Sequence, residues 1–109
     1  MRENYDTGYI YFIRAGDDLA IKIGNTILPL EERMLQLQTA NHRKLVLLGA
    51  IDLRKLIPEQ VLNRVEYSLM ARRKEAEIQA KFADTRIHGE WFNLTPELVL
   101  YISQVTNIN

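Results

Sequence analysis

GYIYFIRAGDDLAIKIGNT, residues 8–26, is the stretch whose reading decides the fold. Two runs rich in β-branched and aromatic residues, GYIYFIR and LAIKIG, flank the turn signal AGDD, which makes an antiparallel hairpin. With the turn centred on Gly16 and Asp17, Tyr11 stands opposite Lys22, Tyr9 opposite Gly24 and Ile13 opposite Ala20. The strand period of two sends Ile10, Phe12, Ile21 and Ile23 to a core face. It sends Tyr9, Tyr11, Ala20, Lys22 and Gly24 to the other. That second face carries two phenols and an ammonium beside a glycine that leaves space. It is either the solvated side of a hairpin or one wall of a site.

The segment after the hairpin, PLEERMLQLQTA (29–40), predicts a helix, with Pro29 in the first turn and Glu31 and Glu32 favouring the positive N-terminal end. Leu30, Met34, Leu37 and Ala40 form its apolar stripe, and Arg33 falls inside that stripe. A guanidinium there must be paired, line a polar site, or lay its stem on the core and lift its head to water. KLVLLGAI (44–51) predicts a third strand, apolar enough for the interior of a sheet. Pro58 and Glu59 open a longer helix towards Phe82, with Val61, Leu62, Val65 and Leu69 as its buried stripe and Glu66 at the stripe's edge. A carboxylate at that edge pairs with Arg33, binds a divalent cation or faces water. HGEWFNL (88–94) is a short extended segment in which Trp91 is a core anchor rather than a platform for stacked bases. Thr95, Pro96 and Glu97 supply the cap and first turn of a last helix to Val105. The order β-β-α-β-α-β-α is that of a small α+β domain, and no linker, repeat or low-complexity segment divides residues 1–109.

Composition narrows the chemistry. The chain has 109 residues, 47% of them apolar, which suffices for one hydrophobic core. The absence of cysteine excludes disulfides, thiolate zinc sites and cysteine nucleophiles. The longest apolar run, LVLLGAI (45–51), is far short of the ~20 residues of a membrane span. The opening MRENYDTG has no leader character, so a soluble cytoplasmic protein without a membrane partner is expected. The glycines are too scattered for a phosphate loop, His42 and His88 lack paired spacing for zinc, and Ser68 and Ser103 lack a nucleophile elbow.

Fourteen basic and fourteen acidic groups give zero net charge, which argues against indiscriminate coating of polyanions. The distribution is uneven. Residues 33–74 carry nine basic and three acidic side chains, while both flanking segments are acidic. Arg43, Lys44, Arg72 and Arg73 in that band are candidate nucleic-acid contacts; the alternative is a set of solvated helix faces.

YIYFI (9–13), KIG (22–24), Arg33 in the next helix, Glu66 in a later one and GEWF (89–92) together resemble the GIY-YIG endonuclease superfamily over residues 8–102. The likeness is to its single-domain phage and bacterial branch. The resemblance implies a three-stranded antiparallel sheet flanked by helices and metal-dependent hydrolysis of DNA phosphodiesters. It implies catalytic roles for Tyr11, Lys22 and Arg33, with Tyr9 alongside, and a single Mg²⁺ or Mn²⁺ on Glu66. His88 and Asn93 are its supporting candidates. The sequence departs from the pattern in that Tyr9 replaces the glycine of GIY, Lys22 the tyrosine of YIG, and Leu37 stands where a histidine is frequent.

The residue types suit this chemistry. A hard cation on a carboxylate polarises phosphate and leaving group, and a guanidinium fork binds non-bridging oxygens. Tyr11 assisted by Lys22, or Lys22 itself, is the base. The alternatives are a non-catalytic nucleic-acid- or protein-binding module on the same scaffold, and a structural adaptor. Target choice falls to this domain, to self-association or to a partner protein.

Overall fold

The computed structural model describes residues 6–108, so part of the opening stretch read for a leader lies outside it. Five strands form one antiparallel sheet: β1 (Tyr9–Ala15), β2 (Ala20–Thr26), β3 (Leu45–Asp52), β4 (Arg86–His88) and β5 (Trp91–Asn93). They lie in the order β3-β1-β2-β5-β4. Three α-helices complete the fold: α1 (Leu30–Thr39), α2 (Arg64–Lys81) and α3 (Pro96–Val105). The α+β class stands, but the sheet has five strands rather than three. GEWF is the reason: Gly89, with φ of +54°, turns the chain between β4 and β5, and this pair joins the sheet beside β2 through β5.

The β1–β2 register differs from the expected one by two residues. Tyr11 pairs with Gly24, Lys22 with Ile13 and Tyr9 with Thr26. The connection spans residues 16–19, with Gly16 at φ +58° and its N–H donating to the Lys44 carbonyl. A shift of two leaves every side chain on its assigned face, so the two-faced reading survives. One face packs Ile10, Phe12, Ile21 and Ile23 against Tyr67, Ala71 and Ile78 of α2 and Leu98 and Ile102 of α3. The other packs Tyr11, Ile13 and Ala50 against Leu30, Met34 and Leu37 of α1. Burying each large apolar side chain contributes about 1.5–3 kcal/mol, so the hairpin is held from both sides.

β3 is an edge strand, not an interior one. Its apolar character follows from cover on both faces and from a tail that satisfies its edge. Thr106 Oγ1 accepts from the Ala50 N–H at 3.0 Å, and Asn107 Oδ1 accepts from the Asp52 N–H at 2.6 Å.

The long helix starts six residues later than Pro58 suggests. Asn63 Oδ1 accepts from the Glu66 N–H and Glu66 Oε1 accepts from the Asn63 N–H, both at 2.9 Å. This reciprocal box satisfies two end donors and fixes the start of α2. The helix phase is then set by Tyr67, Ala71 and Ile78, leaving Val61, Val65 and Leu69 exposed at 78%, 67% and 53%. Of the expected stripe, Leu62 packs against the core, whereas Val61, Val65 and Leu69 face outward. α3 begins as its sequence predicts, with Thr95 Oγ1 accepting from the Leu98 N–H at 3.2 Å. Among the described residues, no helix is long and apolar enough to cross a membrane.

Candidate functional site

β5 pairs with β2 only over Ala20, Ile21 and Lys22. Beyond that point the outer edge of β2 is met by the Glu90 carbonyl, which accepts from the Ile23 N–H, and then by α2. Gln79 Nε2 donates to the Ile23 carbonyl at 2.9 Å, and Asn25 Nδ2 donates to Glu75 Oε1 at 2.7 Å. Gln79 Nε2 also donates to Glu75 Oε2 at 3.0 Å. The Glu75 carboxylate is thereby oriented by two amides, one on each oxygen.

Tyr11 approaches the same edge from the neighbouring strand. Its ring lies on Gly24, where an added Cβ would stand 2.5 Å from Cζ and would also meet Oη. Only glycine leaves room for the ring there. Burial raises the Tyr11 pKa above 10.0; the Arg33 guanidinium opposes this by hydrogen bonding and by charge, and the Glu90 and Glu75 charges push upward again. Tyr11 is 1% exposed, so its phenol forms the floor of the site. Arg33 stands half-buried above it and donates from Nη1 to Gln36 Oε1 at 3.1 Å.

Lys22 projects from β2 on the same face. Its Nζ pairs with Glu90 at 3.1 Å and lies 5.7 Å from the centroid of the Trp91 ring. Glu75 senses these groups too: burial raises its pKa above 4.5, the Glu90 charge adds to the rise, and Asn25, Lys22 and Gln79 oppose it. Tyr11, Lys22, Arg33, Glu75 and Glu90 thus form one cluster at the β2 edge.

Glu66 is outside the cluster. It is exposed and engaged in the capping box. Nine residues separate it from Glu75, which on a helix is about half a turn out of phase and about 13 Å along the axis. Tyr9 also leaves the group. Its hydroxyl accepts from Arg54 Nη2 at 3.3 Å, next to the Arg54–Asp52 ion pair. Burial, then the Asp52 charge, raises the Tyr9 pKa.

Asn93 faces the side of Lys22 but sits opposite Ala20, and His88 is exposed on β4; neither is bonded to the cluster. Of the basic candidates, Arg43 is held by Asp18 at 2.6 Å and Lys44 is exposed in the α1–β3 connection. Arg72 stands one turn before Glu75 on a neighbouring face of α2, whereas Arg73 points about 160° away from it. The basic band is therefore spread around the molecule and partly neutralised.

Glu75, Glu90, Asn25 and Gln79 do not stand out in the sequence. The signal it holds is the i,i+4 pair Glu75–Gln79 beside Ala71 and Ile78, which becomes an inward face once the helix phase is known. The anchoring role expected of Trp91 belongs to Phe92, fully buried, while the half-buried indole of Trp91 lines two adjoining cavities on the Lys22 face.

The family model that matches this chain is the T5orf172 domain, over residues 8–106. The chain belongs to the T5orf172 domain family. This corrects the GIY-YIG resemblance, whose motifs are altered here at Tyr9 and Lys22 and whose glutamate position falls on a helix cap. T5orf172 domains occur in nuclease-like proteins of phages and bacteria, compatible with nuclease activity or nucleic-acid binding without specifying a catalytic residue. No curated protein and no solved structure matches the chain.

The donor set defines what cation this T5orf172 domain could take. No group of three or more His, Cys, Asp or Glu side chains suited to a metal exists among the described residues. One oriented carboxylate, with Glu90 near, fits a hard divalent ion that keeps most of its waters and gains ligands from a phosphate. It does not fit a closed zinc site.

Proposed function

We propose that this T5orf172 domain is a divalent-cation-dependent nuclease that hydrolyses nucleic-acid phosphodiesters at the β2 edge, where β5 gives way to α2. The observation that carries the reading is that Arg33 and Glu75, from two helices, act on the buried hydroxyl of Tyr11, while Lys22 of β2 acts on Glu75 and pairs with Glu90 beside them. Glu75 would hold Mg²⁺ or Mn²⁺. When bound, that ion supplies Lewis-acid polarisation of the phosphate and a water of lowered pKa.

The chain's own groups do the rest. Arg33 presents a planar fork to non-bridging oxygens, a charge-assisted contact that strengthens as negative charge develops. Lys22 adds a second cation, aimed by Glu90 and the indole of Trp91. Tyr11, its pKa raised by burial, holds its proton at neutral pH and positions Arg33 rather than serving as the resting base. Asn25 and Gln79 orient Glu75.

The test is incubation of the protein with single- and double-stranded DNA and RNA under Mg²⁺, Mn²⁺ or a chelator. Cleavage that requires the cation is expected. Salt-dependent binding without product under either cation would overturn the nuclease reading and leave a non-catalytic nucleic-acid module.

Glu75 also links the cation to stability. A carboxyl whose pKa is raised in the folded state contributes stability while protonated and loses it as pH rises through that pKa. A bound cation offsets the loss, so Mn²⁺ at ten times its Kd is expected to stabilise the protein by about 1.4 kcal/mol at pH 7. For a chain of this size that raises Tm by roughly 5–10 °C, and the rise should shrink near pH 4. Differential scanning fluorimetry in Mn²⁺ at both pH values checks this. An equal rise at both would show that the ion binds elsewhere.

A further inference from the structure

The two cavities beside the cluster are not used by the chemistry proposed above. The larger, about 380 Å³, is lined by Ala15, Ala20, His42, Arg43, His88 and Trp91, among others. The smaller, about 200 Å³, is lined by Ile13, Lys22, Leu37, Ala40 and Leu45. Both are also lined by Asn41 and Trp91, so together they make one groove leading away from Lys22 between the α1–β3 connection and the β4–β5 hairpin. Its size is that of small-molecule sites. Small side chains on the floor, Ala15 and Ala20, keep it open, and the indole stands at its midpoint while its neighbour Phe92 fills the core.

A half-buried indole beside the Glu90-paired ammonium of Lys22, with imidazoles on both walls and Arg43 held by Asp18, offers π-surface beside polar and hydrogen-bonding groups. Nucleobases take such surfaces only when unpaired, because duplex stacking hides their faces. We propose that this groove receives an unpaired nucleotide next to the scissile phosphate, its base stacked on Trp91, which makes single-stranded or splayed nucleic acid the preferred substrate. The inference rests on the nuclease reading for the position of the phosphate, but base stacking is measurable without cleavage.

Trp91 is the only tryptophan of the chain, so its fluorescence reports the groove directly. Single-stranded oligothymidylate and oligouridylate, a duplex, and a single strand with abasic sites are titrated into the Glu75→Gln protein with fluorescence and anisotropy recorded together. Expected are quenching by the two base-bearing single strands, in parallel with anisotropy, and none by the duplex or the abasic strand. Trp91→Ala is expected to weaken single-strand binding about tenfold and Trp91→Phe, which keeps a ring, to restore most of it. Binding by anisotropy without a change in fluorescence, or equal affinity for the abasic strand, overturns the stacking site and leaves the nuclease reading intact. No binding of any strand overturns both.

Discussion

Replacing Glu75 with glutamine is expected to abolish cation-dependent cleavage, by about 100-fold or more, while the protein stays folded. The substitution keeps the size of the side chain and one of the two oxygens that accept from Asn25 and Gln79, and it removes the charge that would hold a divalent ion. Loss of a metal-centred stabilisation of several kcal/mol corresponds to such a factor. The neutral side chain removes a partly buried charge but loses one of the two amide bonds, effects of opposite sign that leave stability without cation within about 1 kcal/mol of the unsubstituted protein, and the Mn²⁺-dependent rise in Tm should vanish. Glu66→Gln is the matched comparison. It leaves the rate unchanged, since Glu66 only closes the cap of α2, and glutamine at that position still accepts from the Asn63 N–H. Rates with saturating Mn²⁺ and Tm for both proteins decide the matter. Cleavage by Glu75→Gln at the unsubstituted rate would remove Glu75 from the site.

Gly24→Ala is expected to be the most damaging single methyl group in the chain. The new Cβ would lie 2.5 Å from Tyr11 Cζ and 2.7 Å from Cε1, so ring or strand must move. Both are pinned, the ring by burial in the cluster with Ile13, Leu30 and Ala50 on the α1 face and the strand by its pairing with β1. Overpacking of this kind costs about 2–3 kcal/mol, roughly 10–20 °C in Tm for a domain of this size. Activity falls too, because the displaced phenol no longer supports Arg33. The paired variant Tyr11→Ala with Gly24→Ala should cost less than the sum of the two single changes, since the clash needs both partners. Strict additivity in chemical denaturation would mean that the ring does not rest on Gly24.

Short-range rules suffice for much of this chain. The two faces of the hairpin, the Thr95 cap and the apolar third strand follow from them, and a register slip of two residues leaves the faces untouched because the strand period is two. Arg33, a cation inside an apolar stripe, marks one wall of the site from sequence alone. The features that mislead share one cause. Val61, Val65 and Leu69 look like a buried stripe at helical spacing, yet the cap at Asn63 and the large side chain of Tyr67 turn that face outward. A reading that inverts the phase of α2 places the carboxylate at Glu66 rather than Glu75. The sheet is undercounted for a related reason: strands of three residues, such as β4 and β5, carry too little periodicity to announce themselves.

By itself, then, the sequence determined the hairpin, its two faces, the α+β class and the side chains of one half of the site, because periodicity and capping act over a few residues. Only the tertiary structure decided that Glu75, rather than Glu66, lies near Tyr11 and Lys22, and that Trp91 stands in a groove. Those outcomes depend on how a helix is rotated against a sheet edge and where a neighbouring strand stops, and no local rule encodes the sum of packing contacts that sets them.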